Sequence, residues 1–267
     1  MKIVIKIGSS LVTSDSEIVD LTFLKKISNQ ISKIIKLGHE VILVSSGAIA
    51  CGMKIWNLKD RPNEIEKLQA LSAVGQIGLI NAYQDELKKY ELFAAQILLS
   101  HEDLKDLNRS DNIKESIKNI LGLGAIPIIN ENDSVSTEEI EFGDNDQLSG
   151  NVAKLISSEL LIILTDQDGV FDKNPTMNKN AKLLNEIKFT DVEKLEIEFG
   201  KAGEYGRGGM KTKLLAAENY LNTNNKMYIA NGKSENILLD ILSENRVGTL
   251  IRFCLLYTSP SPRDGQI

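Results

Sequence analysis

Apolar residues along this chain come in two rhythms: short unbroken runs, and longer stretches in which they recur every third or fourth position. The run KIVIKIG, Lys2 to Gly8, predicts a buried strand. Behind it Leu24, Ile27, Ile31 and Ile34 share one helical face, opened by a capping Asp20 and closed by Gly38. EVILVSSGAIA is the next strand and turn, and a helix is predicted from about Glu64 to Tyr90. LFAAQILLS reads as a strand, Asp111 to Leu121 as a helix, and AIPIIN as a strand whose first residues include Pro127, because proline has no N–H to donate to a ladder. A helix from about Asp146 to Ile156 leads to the strand LLIILTD. Gln167 to Asn185, rich in Asn and Lys with Gly169 and Pro175, reads as a hairpin or lid. A last helix begins near Met210, followed by the strand KMYIA and a short ending, VGTLI. Strands alternating with helices predict the α/β class, with a mostly parallel sheet covered on both faces. No internal repeat or low-complexity linker divides residues 1–252, so they are expected to form one domain.

Composition narrows the class of function. With 267 residues, 42% hydrophobic and 25% charged, the chain has an ordinary globular make-up. A formal charge of -6 argues against a nucleic-acid partner, which would require a basic face. No apolar run reaches the roughly 18 residues needed to span a bilayer. The start MKIVIKIGSS lacks the apolar core of a signal peptide, and Cys51 and Cys254 form neither a metal pattern nor a disulfide framework, so a cytoplasmic setting is expected. From residue 253 to 267 the character changes abruptly. CLLYTSPSPRDGQI looks like translated adapter sequence, and it is expected to be a non-native tail outside the core.

Ile129 to Gly150, INENDSVSTEEIEFGDNDQLSG, holds seven carboxylates and four Asn or Gln side chains with no lysine or arginine. Such a run is most often a solvated face. Here it lies between two apolar strands, at the strand ends where open α/β sheets collect ligands. Clustered carboxylates call for a cation, and Mg²⁺ carrying a phosphorylated ligand is the usual one. Four glycine-marked turns could supply the matching groups: KIGSS (Lys6 to Ser10), SSGAIA (Ser45 to Ala50), TDQDG (Thr165 to Gly169) and GRGGMKTK (Gly206 to Lys213). Each alone has an ordinary reading as a capped helix or polar turn.

Absences sharpen the choice. The chain has no G-x-x-x-x-G-K-[ST] loop, no G-x-G-x-x-G after its first strand and no H-R-D kinase loop. Its two histidines, His39 and His101, make a histidine-based triad or an H-E-x-x-H metal site unavailable. Lysines, aspartates and glycine-rich turns remain. That is the equipment of phosphoryl transfer, where the protein mainly positions groups and neutralises charge.

Taken in order, VSSGAIAxG, SAVGQ (Ser72 to Gln76), INENDSV, FGDNDQLS, ILTDQDGV and GGMKTK resemble the amino acid kinase family over Lys2 to about Ile251. Within it they resemble the glutamate-phosphorylating branch, in a short form without the small C-terminal RNA-binding-like domain that many members carry. The resemblance implies a three-layer α/β/α sandwich and ATP-dependent phosphorylation of the side-chain carboxylate of L-glutamate to L-glutamyl 5-phosphate, the first step of proline biosynthesis. It further implies Mg²⁺, no covalent intermediate, proline as a feedback inhibitor and association with further copies of the chain.

Carried onto this chain, Lys6 looks like the lysine that contacts the transferred phosphoryl group, Lys213 like the second lysine, and Asp146 like the aspartate that orients both. Ser46, Asp133 and Asn145 match positions that hold glutamate. Thr165, Asp166, Arg207, Gly208, Gly209, Met210, Lys211, Thr212 and Lys213 match the nucleotide loops, with Lys6 also facing the nucleotide. Arg207 stands where the family usually has threonine, and an arginine can reach a phosphate with two hydrogen bonds. Relatives acting on aspartate, N-acetylglutamate or UMP are the alternative, as is a non-catalytic sensor of nucleotide or amino acid on the same fold. Asp133 discriminates among substrates, because an N-acetylated amino acid carries no ammonium to pair with it.

Overall fold

Strand β1 (Lys2–Ile7) lies inside an eight-stranded sheet, with β2 (Glu40–Ser45) on one side and β5 (Leu160–Thr165) on the other. The computed structural model describes residues 1–13, 18–136, 145–188 and 209–253. The remaining strands are β3 (Phe93–Leu99), β4 (Ala125–Glu131), β6 (Glu186–Lys188), β7 (Lys226–Asn231) and β8 (Thr249–Arg252), in the order β3-β4-β2-β1-β5-β7-β8-β6. All neighbouring pairs are parallel except β7 with β8. Pairing of β4 with β2 starts at Ile128, one residue after Pro127, which satisfies the constraint proline imposes.

Alternation along β1 decides the layers. Ile3, Ile5 and Ile7 pack into one apolar cluster with α2 (Leu21–Lys36), α3 (Ala48–Ile55), α4 (Ile65–Lys88) and α9 (Ile237–Leu242). Val4 packs into the opposite cluster with α6 (Leu107–Gly122), α7 (Asn145–Leu155) and α8 (Met210–Tyr220). This is the expected three-layer α/β/α sandwich. It also dictates where the lysine goes: Lys6, two residues after Val4, must face α7 and α8. Two short helices, α1 (Ser9–Val12) and α5 (His101–Lys105), complete the described elements.

Asp20 caps α2 by accepting from Phe23 N at 2.8 Å. Gly38 follows that helix at φ +83°, as the sequence predicts. The segment 167–185 is a hairpin closed by the Phe171–Leu183 bridge. The helix expected from Asp111 instead begins at Leu107, capped by Asp106, and α5 precedes it with a Ser100–Asp103 capping box. The tail expected over 253–267 lies outside the described residues from 254 onward.

Helices α3 and α4 approach to backbone contact. A Cβ on Gly52 would lie 2.0 Å from Leu71 O, and one on Gly75 would lie 1.9 Å from Ala48 O. Neither backbone can yield as a flexible side chain would. Gly75→Ala is expected to destabilise the fold by roughly 3 kcal/mol. Urea unfolding checks this, and a midpoint equal to that of the unaltered chain would contradict the packing.

Candidate active site

Three elements from distant parts of the chain meet at one carboxylate. Asp146, in the first turn of α7, is completely buried. Lys6 Nζ, from β1, lies 2.7 Å from its Oδ1, and Lys213 Nζ, from α8, lies 3.0 Å from its Oδ2. Both lysines are 6% exposed. Thr212 Oγ1 reaches the same Oδ2 at 2.8 Å and Gly209 O at 2.8 Å, so its single proton can serve one or the other.

Burial alone would push the Asp146 carboxyl up. Lys213 and Lys6, with hydrogen bonds from Lys6 and Thr212, outweigh it and bring the carboxyl down to about 2. The opposite end of the pair moves against the attraction. Burial and the neighbouring Lys6 draw the Lys213 ammonium below its usual range although Asp146 and Asp166 hold it up. One anion therefore keeps two crowded ammonium groups in place.

The location follows from topology. Consecutive strands β1 and β2 pair on one side while β5 pairs on the other, so β1 marks a switch in strand order, where α/β sheets open a crevice. The Gly8 amide in KIGSS is closed onto Leu164 O at 3.2 Å and is not turned toward an anion. At the second turn Gly47 has φ +112°, a conformation that favours glycine, and it caps α3 just after Ser46.

Beside Asp146, the Asn145 amide is built into a buried network. Its Nδ2 donates to Ser46 Oγ at 2.9 Å and to Asn130 Oδ1 at 2.9 Å, with Ser45 O at 3.3 Å. Asn130 Oδ1 also accepts from Glu131 N at 2.9 Å, and Asn130 Nδ2 donates to Gln76 Oε1 at 2.7 Å. Asp133 sits in the turn after β4, where Ser72 Oγ of α4 donates to its Oδ2 at 2.5 Å. Burial raises the Asp133 carboxyl, and the Ser72 hydrogen bond and the charge of Arg61 only partly hold it down. Glu131 secures the far end of that turn by accepting from Ser136 Oγ at 2.5 Å.

A cavity of about 400 Å³ opens between α4, β3 and this turn, with Ser72, Gln76, Glu131 and Asp133 among its polar walls and Ile77 and Leu98 among its apolar ones. It reaches Asp133 but not Lys6, Asp146 or Lys213. Gln76, in its wall, is joined through Asn130 to Asn145, the neighbour of Asp146.

On the other flank, Thr165 ends β5 with its hydroxyl 3.2 Å from Asp166 Oδ1, and Asp166 is exposed. Gly209 caps α8, Met210 and Thr212 are half-buried, and Lys211 is exposed, unlike Lys213. Arg207 and Gly208 lie outside the described residues.

A family model described as the amino acid kinase family matches residues 1–231. The chain belongs to the amino acid kinase family. Glutamate 5-kinase of Nitrosospira multiformis is 45% identical over 248 residues, covering 93% of this chain and 67% of that protein. Glutamate 5-kinase of Marinomonas sp. is 43% identical over 251 residues, covering 94% of this chain and 67% of its own length. For that of Acinetobacter baumannii the figures are 45% over 249 residues, 93% and 66%. The chain thus spans about two thirds of the length of these curated relatives. Among solved structures, UMP kinase from Ureaplasma parvum superposes with a TM-score of 0.63 at 18% identity, covering 94% of this chain and 98% of that one. Isopentenyl phosphate kinase from T. acidophilum gives 0.62 at 17%, covering 94% and 100%. At those identities they attest the amino acid kinase fold.

Of the residues expected from sequence, Lys6, Asp146 and Lys213 converge directly, as do Ser46 and Asn145. Asp133 faces the neighbouring cavity. The sequence alone assigns no role to Ser72, Gln76 or Asn130, although SAVGQ and INENDSV contain them. The spacing of Ser72 and Gln76 was a usable signal, since residues four apart share a helix face.

Proposed function

We propose that this chain transfers the γ-phosphoryl group of ATP to the side-chain carboxylate of L-glutamate, giving L-glutamyl 5-phosphate as the first step of proline biosynthesis. The buried Lys6–Asp146–Lys213 cluster carries the reading. A sensor on this fold would need to bind a nucleotide, but it would have no use for two ammonium groups held around one buried carboxylate. Identity of 45% to glutamate 5-kinases favours glutamate over aspartate, N-acetylglutamate or UMP.

A carboxylate oxygen of glutamate bonds to the γ-phosphorus while the bond from that phosphorus to the ADP oxygen breaks, its electron pair leaving with ADP. The attacking carboxyl, with an ordinary value of about 4.3, is already ionised at neutral pH, so no general base is needed. Charge spreads over the transferred oxygens, and Lys6 and Lys213 neutralise it from positions that Asp146 has already organised. Ser46 and Asn145 orient the acceptor, Asp133 pairs with its ammonium, and Thr165, Asp166 and residues 207–213 border the nucleotide. Among the described residues no group of three or more His, Cys, Asp or Glu could hold a metal. The oxygens of Asp146 are taken by lysines and a hydroxyl. The described donors therefore offer no resident ion site, and Mg²⁺ would be carried on the phosphates of ATP, where it would neutralise their charge. From the resemblance of the ordered motifs we further propose proline as a feedback inhibitor, self-association and a cytoplasmic setting.

Steady-state phosphorylation of glutamate, aspartate, N-acetylglutamate and UMP tests the assignment. Turnover best with any acceptor other than glutamate would overturn it. Asp133→Ala is expected to raise the glutamate KM at least about tenfold, because the ammonium loses its anionic partner, with little change in kcat. A fall in kcat at constant KM would remove Asp133 from the amino-acid site.

A further inference from the structure

We infer that Gln76 is a positioning residue that couples the cavity to the phosphoryl-transfer cluster by fixing the amide of Asn145 through Asn130. The inference rests on the reading of this site as a glutamate-phosphorylating one.

Gln76 is 8% exposed, lines the cavity, and has no part in the roles assigned above. Its Oε1 accepts from Asn130 Nδ2 at 2.7 Å while Glu131 N donates to Asn130 Oδ1 at 2.9 Å, so the two together hold the Asn130 amide in one orientation. Asn130 Oδ1 also accepts from Asn145 Nδ2 at 2.9 Å. Both protons of Asn145 Nδ2 are then directed, one to Asn130 and one to Ser46 Oγ at 2.9 Å. Asn145 Oδ1 is left as the acceptor arm.

An amide has two nearly isosteric orientations, so which arm faces the reactants is decided entirely by its partners. Here one of those partners acts from α4, in the cavity wall, alongside Glu131 N, Ser45 O and Ser46 Oγ, and the amide at the end of the chain of bonds adjoins Asp146. Removing the Gln76 oxygen leaves the buried Asn130 Nδ2 without that acceptor and Asn130 held on its oxygen side by Glu131 N, so Asn130, and Asn145 through it, is held less firmly. Glutamate binding should suffer first, because Asn145 and Ser46 belong to the proposed acceptor site, whereas the described residues proposed for ATP lie on β1, at the end of β5 and at the start of α8.

Gln76→Met keeps the length of the side chain and removes the oxygen. In the full chain it is expected to raise the glutamate KM about tenfold, the worth of one buried hydrogen bond, with the ATP KM unchanged and kcat within about threefold. Gln76→Glu, which retains an oxygen for Asn130 Nδ2, should recover most of the loss. If Gln76→Met does not fold, Gln76→Ala leaves room for a water to take over the acceptor and should show the same split at smaller size. A glutamate KM within twofold of the unaltered chain, glutamate and ATP KM rising together, or Gln76→Glu no better than Gln76→Met would each overturn the inference. Absence of glutamate turnover in the unaltered chain would instead remove the functional reading beneath it.

Discussion

Lys213→Ala is expected to lower kcat by on the order of a hundredfold or more, while the glutamate KM changes much less. The argument starts from when the charge appears. In a loose phosphoryl-transfer transition state, negative charge builds on the oxygens around the breaking bond, so a fixed cation stabilises that state more than the bound reactants. One such donor, held in a buried site, is worth roughly 3 kcal/mol. Lys213 meets the structural requirement: it is 6% exposed, and Asp146 holds it 3.0 Å away at the start of α8. Lys211, two residues earlier, is the internal control. It is exposed, so Lys211→Ala should alter kcat by far less. A purely surface role for Lys213 would change anything measured by about 0.5 kcal/mol at most. Steady-state kinetics with saturating glutamate and ATP decides, and a Lys213→Ala enzyme of near-normal kcat would sink the assignment of the cluster.

That cluster was legible through the family resemblance of the ordered motifs, while periodicity alone placed Lys6 at a strand end and Lys213 at a helix start and left each turn with an ordinary reading. The period-two run of β1 places Lys6 on the face opposite Ile5, Asp146 opens a helix after a strand, and Lys213 lies in the first turn behind a glycine pair. Patterns that name elements also name their ends, and in an α/β sheet the ends are where ligands gather.

The network through Gln76 was not legible, because it depends on how α4 is rotated against the sheet. Gln76 meets Asn130 across 54 residues and Asn130 meets Asn145 across 15. No periodicity encodes those pairings. The rotation is set by the close backbone approach at Gly52 and Gly75, and a glycine within a helical pattern signals only that something comes near, not what. The short elements escaped for a related reason. Helix α5 spans five residues and β6 three, too few to show a period, and their order comes from a capping box and from pairing with β8.

The other large effect should come from Asp146→Asn, which keeps the size of the side chain but removes its charge. We expect kcat to fall by about a thousandfold, since both lysines lose the group that aims them, a loss of roughly 4 kcal/mol in transition-state stabilisation. The fold should weaken as well. In the native chain Lys213 and Lys6 outweigh burial and hold the carboxyl down at about 2, below its ordinary value of about 3.9, so its ionised form contributes on the order of 2 kcal/mol at neutral pH. Because the folded value is the lower one, that contribution is fully present above the unfolded value and is lost as the pH falls from about 4 toward 2. The stability gap between Asp146→Asn and the unaltered chain should therefore narrow across that acid window. In the variant, burial and Lys6 still draw the Lys213 ammonium down, while the attraction that opposed them is gone. Residual kcat should fall with rising pH sooner than in the unaltered enzyme, as the proton on the crowded lysine is lost. Urea unfolding between pH 2 and 7, together with pH–rate profiles, reads both effects. A gap that stays constant into acid would show that Asp146 is not the anion holding the two lysines.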